Sequence, residues 1–335
     1  MKILYAVQGT GNGHVARANE LIPLFREHAK VDILISGTES NLKLNHKAKF
    51  KFNGLSFVFG KKGGVDIWAS VKKFNFFRLL RDINNIDLDK YDLIISDFEP
   101  ISAWASKLKN KKCIALSHQY SLLSGKTPKP KKFNLINKMI LKYYAPSKFG
   151  YGFHFDKYDK NIFLPIINEK IRNLKTNILS HYTVYLPSFS IFKIVQELSK
   201  IKNAEFQVFT KDIEMLKVEK NFSFHPIDHE KFIKSMASSK GIICGAGFET
   251  PSEVIYLNKK LLVIPMTNQF EQKCNAAALK NLGYTVTEKL DYKEIDKWIK
   301  RKNKLNIKYN HSNKEIVERV LLDFKKEKNN IPVLN

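Results

Sequence analysis

Residues Gly241 to Val254 read GIICGAGFETPSEV, and residues Pro265 to Ala276 read PMTNQFEQKCNA. A short apolar run that ends in Gly245-Ala-Gly247 and enters a helix near Thr250 is the strand, glycine turn and helix of an α/β unit. Such a turn offers backbone N–H groups and the positive end of a helix to an anion such as a diphosphate. Glu253 falls within the opening of that helix, where a carboxylate can accept both hydroxyls of a ribose. One strand later Glu271 and Gln272 begin another helix and supply a carboxylate and an amide, chemistry suited to sugar hydroxyls.

Working outward, the same alternation fills the chain. Ile3–Val7 reads as a buried strand, followed by Gly9-Thr-Gly-Asn-Gly13 and a helix over His14–Glu27. Further strands are expected at Val31–Ile35, Leu93–Ser96 and Cys113–Leu116, with an extended stretch over Lys49–Phe59. Helices are expected at Trp68–Ile83, Ile101–Leu108 and Phe133–Tyr144. After a connector at Pro165–Ser180 the pattern restarts. Strands follow at Tyr182–Leu186, Phe206–Phe209, Phe222–His225, Gly241–Cys244 and Leu261–Pro265, with helices between them. Helices near Tyr292–Arg301 and Lys314–Lys325 close the chain. The reading is an α/β protein of two Rossmann-like domains, residues 1–170 and 181–310. A C-terminal helix in 311–335 packs near their junction. Their strands' carboxyl ends face each other across a cleft, where open α/β sheets bind ligands.

The first half places ionisable groups at that edge. Gly11 and Gly13 lie in the loop before the first helix and suit a phosphate or acceptor loop. The spacing G-x-G-x-G, with no acid after the second strand at Ser36-Gly37, does not fit a dinucleotide site. His14 stands where the loop becomes a helix, and it either serves as a base near neutral pH or caps the helix. Asp97 and Glu99 follow one strand and His118 the next. Asp97 either pairs with His14 or caps the helix that begins at Pro100.

Composition bounds the alternatives. The 335 residues are 44% hydrophobic, enough for two cores and too apolar for a disordered chain. No run of about 18 apolar residues lacks a charge, so no membrane-spanning helix is expected. The N-terminus reads as a strand, not a secretion signal. Three scattered cysteines without a C-x-x-C pair argue against a disulfide or zinc scaffold and suit a cytoplasmic setting. The formal net charge is +25, of which +17 lies in residues 1–180, and Pro100–Phe155 carries eleven lysines and no acid. Part of this excess is attributable to a lysine-rich base composition. The remainder suits an anionic partner. With no nucleic-acid motif present, an anionic membrane surface is the partner this charge suits best. On a helix within Lys131–Lys148, Lys131, Asn134, Lys138 and Lys142 share one face, and Phe133, Ile136, Ile140, Tyr143 and Tyr144 share the other. Lys61-Lys-Gly-Gly64 and Lys72-Lys73 add to the charge. Asp87-Leu-Asp89 reads as a solvated turn, not a metal motif.

The second-half block resembles the donor site of GT-B glycosyltransferases, and the glycine loop with His14 resembles their family-28 branch. That branch includes the UDP-N-acetylglucosamine transferase that completes peptidoglycan lipid II. The resemblance implies a GT-B fold and transfer of a sugar, GlcNAc or a related hexose, from a UDP-sugar to a hydroxyl with inversion, the acceptor being lipid-linked or part of an envelope glycan. It implies that Glu253 holds the ribose and that Gly245, Gly247 and Thr250 face the diphosphate. Glu271 and Gln272 would contact the sugar, Asn275 would support them, and Phe224-His-Pro-Ile227 would lie near the base. His14 would lie near the reacting centre, as the acceptor's base or as a group bound to the donor, with Asp97 the alternative base, and no cofactor or metal is required. Two departures stand out: Leu186-Pro-Ser-Phe-Ser190 replaces a glycine turn, leaving Ser188 or Ser190 to reach the phosphate, and Glu271 stands where relatives often carry aspartate or glutamine. A UDP-sugar epimerase on the same fold and a non-catalytic nucleotide-sugar-binding protein remain compatible with the sequence.

Overall fold

Apolar runs long enough for one strand, spaced by helical periods, wind into two parallel sheets in this computed structural model, which describes residues 1–37, 40, 42–54, 76–131, 135–302 and 305–329. The first half runs β1 (Lys2–Gln8), α1 (Asn12–Arg26), β2 (Lys30–Ser36), β3 (Phe50–Phe52), α2 (Phe76–Asn85), β4 (Leu93–Asp97), α3 (Pro100–Leu108), β5 (Cys113–Ser117), α4 (His118–Ser121), α5 (Leu135–Tyr143), β6 (Phe149–Phe153), β7 (Ile162–Phe163) and α6 (Glu169–Arg172). The second runs β8 (His181–Tyr185), α7 (Ile191–Leu198), β9 (Glu205–Thr210), β10 (Lys217–Glu219), β11 (Phe222–Pro226), α8 (His229–Ser238), β12 (Gly241–Gly245), α9 (Glu249–Tyr256), β13 (Lys260–Ile264), α10 (Phe270–Asn281), β14 (Thr285–Val286), α11 (Tyr292–Lys300) and α12 (Asn313–Asn329).

Among the described residues the strand orders are β3-β2-β1-β4-β5-β6-β7 and β10-β11-β9-β8-β12-β13-β14. All pairs are parallel except β10 with β11. In each sheet the order reverses beside the first strand of that half, and such switch points open a crevice at the strands' carboxyl ends. In the first sheet the crevice lies between β1 and β4, whose register sets Val7 opposite Asp97. In the second it lies between β8 and β12, and α9 leads out of β12. Ile3 to Val7 are all fully buried, as expected of a central strand covered by helices on both faces.

Strands β6, β7, β10 and β14 join those expected, and two expected elements fall partly outside the described residues. The strand β6, FGYGF, is not among the expected strands: its aromatics alternate at strand spacing, but its two glycines weaken the signal. Gly150 is needed because a Cβ there would stand 2.6 Å from the Ala115 carbonyl oxygen on β5, a close approach that only glycine permits. The extended stretch at 49–59 is a strand only over Phe50–Phe52, and positions 55–59 lie outside the described residues. The expected helix from Trp68 is described from Phe76, and Lys61 to Gly64, Trp68, Lys72 and Lys73 also fall outside. The last helix, α12, returns to the first half: Val317, Val320 and Phe324 share a core with Leu21 and Phe25 of α1. Asp87 and Asp89 form an exposed turn, with Asp87 accepting from the Asp89 backbone N–H (3.0 Å) and from Lys90 Nζ (2.9 Å).

On α5, Leu141 and Tyr144 just beyond the helix are buried, whereas Lys138, Met139, Lys142 and Tyr143 are exposed. Of the apolar face named above, Tyr144 is buried, Ile140 half-buried and Tyr143 exposed. Phe133 and Asn134 lie outside the described residues, as does the Ile136 side chain.

Candidate active site

The parallel register of β1 and β4 brings the start of α1 against the end of β4. His14 Nδ1 lies 2.8 Å from Asp97 Oδ1. A carboxylate only accepts, so a proton on Nδ1 satisfies Asp97 and leaves the Nε2 lone pair for the cleft, although Arg17 Nη2, itself a donor, also lies 3.1 Å from Nδ1. Arg17 lies one helical turn beyond His14 and on the same face. Its Nε donates to Asp97 Oδ2 (2.9 Å) and its Nη2 to Asp97 Oδ1 (2.9 Å). Asp97 is fully buried. Burial alone would push its carboxyl up, but Arg17 and then His14 hold it below the usual aspartate value. Phe98, with φ of 55°, is held in the left-handed region, where a bulky residue is strained and such strain gathers at functional sites. The turn sends Asp97 toward α1 while its neighbour faces the other way.

That neighbour, Glu99, does not belong to the cleft. It is fully buried and caps α3, accepting from the backbone N–H groups of Ile101 (2.8 Å) and Ser102 (2.7 Å) and from Ser36 Oγ (2.7 Å). Either acid stood close enough in sequence to cap this helix; the backbone turn at Phe98 assigns the cap to Glu99 and frees Asp97 for His14. The Glu99 carboxyl is raised by its burial despite those hydrogen bonds.

The second half meets these groups directly. Arg17 Nη1 donates to Glu249 Oε1 at 2.6 Å, and Glu249 opens α9. Gly13 is required here: a Cβ on it would stand 2.8 Å from Glu249 Oε1. No side chain caps α9, whose cap residue is Phe248. Glu253 lies one turn further into α9, and its carboxylate has no hydrogen-bond partner among the described residues. Burial first, then the charges of Glu249 and Glu20, push it up to about 8.

Gly11, Gly13, His14, Gly247, Thr250 and Glu271 border one cavity of ≈ 490 Å³ between the two switch points. His118 joins them from β5's end but is held at both ring nitrogens, by the Phe153 carbonyl (2.8 Å) and by Asn275 Oδ1 (2.9 Å), and its ring stacks on Phe248 at 3.9 Å. Asn275 is fully buried and donates from Nδ2 to the Ala246 carbonyl (3.1 Å), so it ties His118 to the glycine turn. Burial lowers the His118 pKa.

Four expected donor contacts lie away from the cavity lining, and Glu253 is one of them. Gln272 is buried and its Oε1 accepts from the Met266 N–H (3.0 Å). Gly245 packs toward that same Oε1, and Ser188 is exposed in the turn after β8. A larger hollow, ≈ 720 Å³, opens at the amino ends of the second sheet's strands and holds none of these groups.

Arg17, Glu249 and Gln119 of this site were not singled out from the sequence. The i, i+3 spacing of His14 and Arg17 was a readable signal for the first. The other two depend on contact between the halves, which leaves no local pattern.

Two facing switch points, one carrying a histidine and carboxylate pair and the other a glycine turn before an uncapped helix, define the GT-B class of glycosyltransferases. The chain belongs to Glycosyl transferase family 1, whose model matches residues 1–302, and it is a glycosyltransferase. No curated protein matches it in sequence. Its fold is similar to that of Arabidopsis thaliana UGT89C1 complexed with UDP, at 13% identity over 96% of this chain and 99% of that one, with a TM-score of 0.60. It is similar also to Acinetobacter baumannii MurG, at 11% identity over 96% and 99% of the chains, TM-score 0.56. The glycosyltransferase SnogD from Streptomyces nogalater shares 13% identity over 97% and 95%, TM-score 0.54. Among the described residues no helix is long and apolar enough to cross a membrane.

Proposed function

We propose that this enzyme transfers a hexose, GlcNAc or a close relative, from a UDP-sugar to an acceptor hydroxyl with inversion, in the manner of the family-28 branch that its glycine loop resembles. The observation that carries the reading is the His14–Asp97 pair, with Nε2 facing the cavity that α9 borders from the other side. In this scheme His14 Nε2 takes the acceptor's hydroxyl proton as its oxygen bonds to the anomeric carbon. The bond from that carbon to the diphosphate oxygen breaks on the opposite face, and UDP leaves with the electron pair. Asp97 holds the tautomer and stabilises the imidazolium that forms. The N–H groups that open α9 neutralise the departing diphosphate without a cofactor or metal, and Glu253, whose carboxylate is uncommitted, takes the ribose hydroxyls.

A cytoplasmic enzyme working on a lipid-linked acceptor at an anionic membrane surface is supported by a second hollow, of ≈ 560 Å³, at the amino ends of β5 and β6. Lys107, Lys112, Lys142 and Lys148 line it with exposed Tyr143, and among the described residues no carboxylate does. Such a surface attracts anionic head groups by charge and anchors on them with an aromatic ring.

The test is calorimetric titration of UDP, UDP-GlcNAc, ADP and GDP against wild type and Glu253→Ala, with UDP release followed in parallel. Uridine-selective binding that the substitution weakens is the expected result. Absence of nucleotide binding overturns the reading.

A further inference from the structure

Tyr144 stands at the end of α5, where its N–H donates to the Ile140 carbonyl (2.9 Å), and only 8% of it is exposed. It borders the catalytic cavity together with Gln8, Thr10, His14 and Phe98. Two contacts hold its side chain. The ring stacks on Phe98, with the centroids 4.8 Å apart. The hydroxyl accepts from Gln8 Nε2 (2.8 Å), and the same amide donates to Thr10 Oγ1 (2.8 Å). Gln8 ends β1 and is buried.

These contacts reach both arms of the His14–Asp97 pair. Phe98 follows Asp97 directly and is held at a φ of 55°, a conformation that a bulky residue keeps only where its surroundings over-determine it. Tyr144 and Leu141, one turn apart on α5, both pack on its ring. Thr10 lies in the loop that leads from β1 into α1 and His14. We propose that Tyr144 is a positioning residue for the reaction: through Phe98 it keeps Asp97 turned toward His14, and through Gln8 it steadies the loop from which His14 projects. The proposal rests on the assignment of His14 as the base and adds to it a support from α5, a helix that carries none of the reacting groups. Displacing a reacting group by about 1 Å can cost on the order of a hundredfold in rate, so the loss of such a support is felt in turnover before it is felt in nucleotide affinity.

The experiment follows UDP release with water as the acceptor, so that no contact to an acceptor molecule enters the rate. UDP-GlcNAc, UDP-glucose and UDP-galactose serve as probes, and UDP affinity is measured beside them by calorimetry. Tyr144→Leu loses both contacts and is expected to lower kcat roughly tenfold or more, with the UDP dissociation constant within about twofold of wild type. Tyr144→Phe keeps the stack, loses the hydroxyl, and is expected to come back to within about threefold of wild type. In an Asp97→Asn background Tyr144→Leu is expected to cost less than about threefold further, because the carboxylate that it aims is already gone. Unchanged kcat in Tyr144→Leu overturns the proposal and leaves Tyr144 at most a contact to the acceptor. The full loss repeated in the Asp97→Asn background overturns it too, since Tyr144 then does not act through Asp97. A parallel loss of UDP affinity does the same, because it marks a general loosening of the cleft. The base assignment fails by a different result, full UDP release in His14→Ala or none in wild type, and the proposal falls with it.

Discussion

Arg17 Nη1 lies 2.6 Å from Glu249 Oε1 and joins the first helix of one sheet to α9 of the other, while the same guanidinium grips both oxygens of Asp97. One buried cation is thus shared between the carboxylate paired with His14 and a carboxylate facing it across the cleft. The Arg17 side chain is 3% exposed and that of Glu249 27%. The bond to Asp97 is therefore the stronger one, and the bond to Glu249 the one solvent can weaken. The arrangement ties the geometry of catalysis to the approach of the two halves.

Removing the cation should cost stability. Arg17→Gln leaves Asp97 buried without its charge partner, and unfolding in urea is expected to show a loss of about 3 kcal/mol. Arg17→Lys keeps the charge but not the planar fork and should recover less than half of that. A loss under about 0.5 kcal/mol in Arg17→Gln would mean that solvent or the His14 charge already satisfies Asp97.

Removing the other partner should instead tighten binding of an anion. Glu249 places a negative charge at the opening of α9, where the diphosphate of the proposed donor would arrive. Glu249→Gln deletes that repulsion and releases Arg17, so UDP affinity measured by calorimetry is expected to rise about tenfold at low salt. Weaker UDP binding in this variant would show that Glu249 is itself a ligand of the nucleotide.

Turnover should depend on the base and its orienter separately from binding. His14→Ala and Asp97→Asn are each expected to lower UDP release from a UDP-sugar by about a hundredfold or more, with UDP affinity within threefold of wild type. Asp97→Asn carries a further mark, because an amide also loses the charge that Arg17 requires and the variant should unfold at lower urea. Retention of full activity in His14→Ala would remove the proposed mechanism.

Glu253 gives a pH signature. Its folded pKa, about 8, lies above the unfolded glutamate value near 4.3, so its protonated form is favoured by folding. The stability it contributes is complete below about pH 4.3 and is lost as pH rises through about 8. Glu253→Gln, which cannot ionise, should match wild type near pH 4.3 and become progressively more stable than it as pH rises toward 8 in equilibrium unfolding. The same variant should bind UDP more weakly, a trade of stability against function. Identical pH profiles for the two proteins would exclude a raised pKa at Glu253.

The lysine hollow makes a prediction independent of the cleft. Lys142→Glu combined with Lys148→Glu is expected to abolish sedimentation of the protein with vesicles containing anionic phospholipid, in 0.1 M salt, and to leave UDP binding unchanged. Binding of wild type to neutral vesicles just as strongly would show that charge is not the attraction.

Much of this molecule was readable from local pattern. The apolar runs at Ile3–Val7, Gly241–Cys244 and Leu261–Pro265, each bounded by turn residues, specify buried parallel strands because no other short element accepts such a run. The alternation with helical segments specifies the two-sheet class, and the glycine turns with His14, Glu253 and Glu271 mark the carboxyl ends of the right strands. Where local pattern was weak, as at β6, the reason is that Gly150 of FGYGF answers to the space beside Ala115 and not to strand propensity.

What the tertiary structure alone decided is which charged groups act together. Asp97 and Glu99 are two residues apart, and the left-handed turn at Phe98 sends one carboxylate to His14 and the other to the start of α3. The Arg17–Glu249 and Gln119–Glu271 contacts bridge residues far apart in the chain and on different sheets. Hydrogen bonds and ion pairs act over about 3 Å, and nothing in the local sequence sets which distant groups fall within that range; the packing of one half on the other does.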